Sequence, residues 1–315
     1  MTRIRLHHLA ACVCCMAACA MAGPTAYVPN ENSGTVSIID TGTDKVTGEL
    51  HTGGKPRGIA VSPDGTRLYL SDRAGNALLV VDLDGRKVVK KIPLGQSPEG
   101  ISLSRDGRWV AAAIEETNTV MLIDTASGEV VANIATQGKN PEHAVFSPDA
   151  RWLYVSAEDA SQVDVIDVAA RRQVDSISVG RRPRGIGFSS DGSTAYVACE
   201  LASTLYVIDT ATRKVRAAVP AGEFSNGVAV SARGDRVYVS NGKGASVSVI
   251  DMGSNKVIAT VPVGQRPWNM ALTPDDGKLY VAAGRSNSVS VIDTGLASRV
   301  ADVAVGQSPW GVAIR

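Results

Sequence analysis

From Thr25 onward, apolar residues come in short runs of four to six, each broken by Gly, Pro, Asp, Asn or Ser. No stretch holds a 3.6-residue apolar period for ten residues, so the pattern predicts strands and excludes a helical solenoid. The segment from Pro56 shows the unit. Gly58–Val61 reads as a first strand, ended by the turn Ser62-Pro63-Asp64-Gly65. Arg67–Leu70 is the second, and Ala77–Val81 the third, running into Asp82. Asp84-Gly85 then turns the chain into Val88–Leu94, whose partly polar pattern suits an outer edge strand.

This unit repeats. An aspartate closing the third strand recurs as Asp40, Asp82, Asp124, Asp167, Asp209, Asp251 and Asp293, at spacings of 42, 42, 43, 42, 42 and 42. A glycine follows each one (Gly53, Gly95, Gly138, Gly180, Gly222, Gly264 and Gly306), and the one extra residue lies between Asp124 and Gly138 as a bulge or a longer loop. Seven equal copies serve the unit: each carboxylate is placed to accept backbone N–H bonds in the next turn. The turn signal of the first hairpin also recurs, and weakens at Ala232-Arg233-Gly234. Four-stranded antiparallel units at this period either stack openly or close radially. The first unit lacks its first strand, beginning at Ala26-Tyr27-Val28, and the sequence finishes on a lone first strand, Pro309–Ile314. Joined, they complete one blade. The predicted fold is therefore all-β: a seven-bladed β-propeller closed by pairing of its N-terminal and C-terminal strands, with residues 23–315 as one domain.

Residues 1–22 read as a signal peptide. Arg3 and Arg5 open it, an uncharged run from Leu9 to Ala22 follows, and Ala20-Met21-Ala22 has the small-x-small form of a cleavage site. The expected location is periplasmic or secreted, without membrane insertion. A lipid anchor on Cys19 is the alternative that Met16-Ala17-Ala18-Cys19 leaves open. Cleavage leaves Cys199 as the one cysteine, so no intramolecular disulfide is available. It also removes Arg3 and Arg5 from 32 basic residues against 31 acidic, leaving a net charge of −1. That balance gives no global attraction for nucleic acid or anionic lipid.

Ala26-Tyr27-Val28-Pro29-Asn30, Val237-Tyr238-Val239-Ser240-Asn241 and Gln265-Arg266-Pro267 resemble the YVTN-repeat β-propeller family over essentially the whole of residues 23–315. With the Pro309-Trp310-Gly311-Val312 ending, the arrangement is similar to periplasmic propellers associated with PQQ-dependent (quinoprotein) alcohol catabolism. The resemblance implies an exported binding or scaffold protein, with a quinoprotein dehydrogenase or an associated transport component as partner. It implies no reaction and no cofactor. Related-looking propellers include metal-dependent lactonases and the YncE-like type, for which DNA binding is proposed; these supply the alternative readings.

Function is sought where the repeats disagree. One row, following the proline or serine at the start of each innermost strand, holds Arg57, Glu99, Glu142, Arg184, Asn226, Trp268 and Trp310. In a propeller it faces one mouth of the channel. With His143 beside Glu142, it predicts a binding site for a small polar ligand or a partner: a flat aromatic wall opposite mixed charges. The alternative is that the charged members satisfy one another around a water-filled channel while the tryptophans plug a gap. A second row holds Glu31, Arg73, Glu115, Glu158, Glu200, Gly242 and Gly284. Its glutamates predict a solvated acidic rim. No catalytic residue and no metal site is expected. Only His51 and His143 remain after cleavage, and neither a Cys-x-x-Cys-His nor a Gly-x-Ser-x-Gly motif occurs. A lactonase-like site would need Glu99, Glu142 and Asn226 on one metal, with arginines flanking the ion.

Overall fold

The structure, a computed structural model, describes residues 23–315; the signal-peptide and Cys19 expectations fall outside them. Among the described residues there are seven four-stranded antiparallel sheets. The second blade is typical, with strands Pro56–Val61, Arg67–Asp72, Ala77–Asp82 and Lys87–Pro93 in sequence order from the axis outward. The closing blade places Ala313–Ile314 beside Thr25–Asn30, Thr35–Asp40 and Lys45–His51. Ala26 pairs with Ile314 and Tyr27 with Ala313. The Trp310 N–H donates to the Pro29 carbonyl at 3.1 Å, and the Arg315 N–H to Thr25 at 3.0 Å. The seven-bladed propeller closed through its terminal strands is thus the observed architecture. Among the described residues, a 3-10 turn at Glu158–Ala160 is the one helical element, and no helix is long and apolar enough to cross a membrane.

The apolar residues pack between blades. Val163, Val165 and Ile177 of one sheet meet Ile186, Ala195, Val197, Cys199 and Ile208 of the next in a continuous cluster. Each sheet covers its neighbour, so no blade has a core of its own. Cys199 is fully buried there, and burial pushes its thiol up to about 12, leaving it protonated.

Turn carboxylates do the local work. Each repeated aspartate, Asp40 through Asp293, accepts a backbone N–H three residues on at 2.7–2.9 Å. At Ala232-Arg233-Gly234, where the signal weakens, Asp276 of the next blade reaches back to the N–H groups of Ala232 and Arg233 at 3.1 and 3.0 Å. The extra residue is a loop insertion. The outer strand Glu129–Ala135 has the same length as Lys87–Pro93, seven residues, and the same register shift, so the additional position falls in Thr136-Gln137.

A bulge in the innermost strand positions the channel-facing row. Pro56 pairs with Asp72, yet Ile59 pairs with Leu70, so Arg57 and Gly58 together oppose Ser71. Such two-against-one pairing turns the strand and redirects a side chain. The same shift recurs around Glu99, Arg184, Asn226 and Trp268, and a one-residue version at Glu142. Ser71 fills the bulge. Its Oγ accepts the Gly58 N–H at 2.9 Å and donates to the Glu99 carbonyl of the next blade at 2.6 Å. Ser240 does the same between Gly227 and the Trp268 carbonyl, at 2.8 and 2.6 Å. Glycine follows the bulge because the next inner strand is close: a Cβ on Gly58 would lie 2.7 Å from the Ile101 nitrogen, and one on Gly185 2.4 Å from the Asn226 carbonyl.

Ser71→Ala leaves the Gly58 N–H and Glu99 C=O buried without partners, which costs about 1–3 kcal/mol per unsatisfied group. Urea denaturation should show a stability loss of that size; an unchanged midpoint would contradict the bulge's role in joining blades.

Candidate functional site at the channel mouth

The two rows that differ between repeats converge on one cavity of about 220 Å³. Its walls include Arg57, Glu99, Glu142, Arg184, Trp268 and Trp310 from the first row. Glu31, Arg73, Glu115 and Glu158 of the second row line it too. Arg57 donates to both oxygens of Glu99 at 2.6 and 2.5 Å and lies 3.1 Å from Glu31. Arg184 donates to Glu142 at 2.5 Å and to Glu200 at 3.1 Å. Arg182 bridges Glu158 and Glu200 at 3.1 and 3.2 Å, and Arg266 reaches Glu200 at 2.7 Å. Arg73 and Glu115 share Ser97, at 3.1 and 2.6 Å.

This geometry corrects the expectation of a solvated acidic rim. Glu158 is 5% exposed and Glu200 fully buried. Glu31 and Glu115 are also turned inward onto arginines, within 3.1 and 3.8 Å. The second row stands close enough to the axis for its side chains to reach the first. Its two glycines make room for site residues: a Cβ on Gly242 would meet Arg266 Nη1 at 2.9 Å, and one on Gly284 would meet Trp268 Nε1 at 2.5 Å.

The aromatic residues also depart from the flat wall expected. His143 stacks on Trp310 with ring centroids 5.4 Å apart, and Trp310 on Trp268 at 6.4 Å. The Arg266 guanidinium caps Trp268 at 4.4 Å. The indoles form a column whose faces are largely engaged by one another and by these neighbours. His143 lies below the mouth rather than in it, because it occupies the position that is glycine in five repeats. Asn269 is the other exception, and its Nδ2 lies 3.2 Å from His143 Nε2 across the channel. Both residues line a second cavity of about 90 Å³, together with Ile59, Ile101, Trp310 and Val312, and neither lines the charged cup. Burial keeps His143 neutral by lowering its pKa, against the pull of Glu142. Asn226 is 1% exposed and its Nδ2 has no partner.

Arg182 and Asn140 line the cup, Arg266 pairs with Glu200 and Asn269 with His143, and none of the four is among the candidate residues of the two rows. Arg182, Arg266 and Asn140 share a signal: each immediately precedes the proline that starts an inner strand, in a left-handed conformation with φ of 61°, 54° and 62°.

Burial raises Glu99 to about 8, with repulsion from Glu142 adding and Arg57 opposing. Burial likewise raises Glu158 to about 8, again with Glu142 repelling. Glu142 behaves oppositely: burial pushes it up, but Arg184 and Arg57 together hold it below the ordinary carboxylate range. Of three neighbouring carboxyls, Glu142 holds its charge most strongly and the flanking two bind a proton most readily. Among the described residues, no group of three His, Cys, Asp or Glu side chains is placed to hold a metal ion.

Because Glu99 and Glu158 bind protons more tightly when folded, their contribution to stability is complete below the ordinary 4.5 and is lost as pH rises toward 8. Denaturant titrations at several pH values should show Glu158→Gln declining less than the wild type across this window. Identical slopes would contradict the assignment.

Two family descriptions match parts of the chain: the Cytochrome D1 heme domain over residues 114–227 and the SMP-30/Gluconolactonase/LRE-like region over residues 16–159. A PE-PGRS family protein, PE_PGRS18 of Mycobacterium tuberculosis, is 51% identical over 41 residues. That match spans 13% of this chain and 9% of the relative, about the length of one repeat. Among solved structures, a chain of Kuenenia stuttgartiensis hydrazine synthase superposes with a TM-score of 0.79 at 25% identity, covering 90% of this chain and 99% of that one. A functionally unknown protein from Desulfotomaculum acetoxidans DSM 771 gives 0.82 at 17% identity, over 92% and 98%. The dihydro-heme d1 dehydrogenase NirN in complex with DHE gives 0.67 at 17%, over 91% and 74%. With seven closed blades and these likenesses, the chain belongs among the β-propeller proteins.

Proposed function

We propose that this propeller is a binding module that holds one small polar ligand at the charged mouth of its channel. The observation that carries this reading is the convergence of both divergent rows on a single cavity of about 220 Å³. That volume lies below the roughly 300–1,000 Å³ of drug-sized pockets, so it suits a single ring rather than a macrocycle. NirN is described in complex with DHE, which supports ligand binding on this fold. A partner-protein face is less well supported. Of the seven exposed large apolar residues, Val46, Val89, Val130, Ile258 and Val300 lie one to a blade on outer strands, and none of the seven belongs to the rows that differ between repeats. Lactonase-like hydrolysis fits poorly, because Glu99 and Glu142 are each engaged by an arginine. DNA binding lacks a positive surplus, since glutamates match the site's arginines. The proposal includes export to the periplasm and service to a quinoprotein dehydrogenase or an associated transport component. N-terminal sequencing that finds Gly23 first in the exported chain tests the first part.

Protein purified without denaturation from its own host should carry a small molecule in one-to-one amount, detected by mass spectrometry. Trp268→Ala should weaken its retention tenfold or more, about 1.4 kcal/mol, with folding intact. A wild-type protein that is always empty, or retention unaffected by the substitution, would remove the proposal.

A further inference from the structure

Resting on the binding reading above, we infer that the ligand of the cup is an electrically neutral polyol of single-ring size. Charge compensation at the site is the first ground. Glu31, Glu99, Glu115, Glu142, Glu158 and Glu200 face Arg57, Arg73, Arg182, Arg184 and Arg266. Four of these arginines lie within 3.2 Å of a carboxylate, and Arg73 lies 3.5 Å from Glu99. An entering anion has to take an arginine from its glutamates, and an entering cation a glutamate from its arginines. Either exchange leaves a buried charge uncompensated, which is strongly unfavourable. A neutral ligand avoids that cost.

Unused hydrogen-bonding capacity in the residues that line the cavity is the second ground, and it comes in both senses. Arg57 Nε is a buried donor without a partner. Glu158 Oε1 lies 2.7 Å from Arg184 Nε, yet off the line of its N–H, and accepts no hydrogen bond. Both residues line the cavity, and Glu158 is more than nine-tenths buried. A hydroxyl group both donates and accepts, so neighbouring hydroxyls meet a donor and an acceptor without any change of charge. Trp268 is partly exposed on the same wall, and with its faces engaged by Trp310 and Arg266 it is the indole edge that meets the C–H groups of a ring.

Three probes of one ring size separate charge from shape: glucose, glucuronate and glucosamine, titrated calorimetrically against the full chain and its Trp268→Ala variant. Glucose should bind, and both charged analogues should bind at least tenfold more weakly. Trp268→Ala should reduce glucose binding tenfold while far-ultraviolet circular dichroism stays unchanged. If either charged analogue binds as tightly as glucose, neutrality is wrong and the binding reading survives. If none of the three binds while the native protein still carries a small molecule, the polyol class is wrong. Glucose binding that Trp268→Ala leaves unchanged places the sugar elsewhere and also overturns the inference.

Discussion

Everything in this molecule depends on the antiparallel pairing of Ala26 and Tyr27 with Ile314 and Ala313. Apolar side chains are shared between adjacent sheets, so an open ring would expose a blade face on each side of the gap. Closure covers both. It also assembles the site: Trp310 is held by its N–H on the Pro29 carbonyl, and Glu31 by its N–H on the Ser308 carbonyl. Without these bonds, the strand carrying Trp310 would not stand beside the blade carrying Trp268, and Glu31 would not reach Arg57.

Around that ring, one backbone device is used repeatedly. The bulge after the start of each inner strand directs a side chain to the channel mouth, and a serine such as Ser71 or Ser240 fills the bulge and grips the next blade. The scaffold that sets the site's geometry is therefore common to the repeats, while the side chains placed on it vary. Their variation gives a network in which buried carboxylates and guanidinia compensate one another. Such networks contribute little net stability, because desolvation offsets their attraction. Their persistence beside a cavity is better understood as recognition than as structural support.

The fold was legible because a 42-residue period and the turn aspartates state the unit directly, and only closure gives the terminal strands a partner. The site was legible in part. Comparing equivalent positions isolates Arg57, Glu99, Glu142, Arg184, Trp268 and Trp310, which the fold brings together at one cavity. Period alone carries no radial distance, so Glu158 and Glu200 read as a rim although they point inward and are buried. It also hides the bulge, whose extra residue separates His143 from Glu142 by a layer of the channel. Stacking was illegible for a related reason: that Trp268 and Trp310 are neighbours follows from sequence, but that His143 and Arg266 cover their faces depends on reach across the ring.

The central claim is that the mouth of the channel is a site for one neutral polyol ring and not a self-satisfied plug. A crystal structure of the protein soaked with glucose tests it most directly. The account predicts density for one ring in the cavity, hydrogen-bonded to Arg57 Nε and Glu158, with the Arg57–Glu99 and Arg184–Glu142 pairs retained. Ordered water alone in that cavity, at a sugar concentration that saturates the crystal, would contradict it.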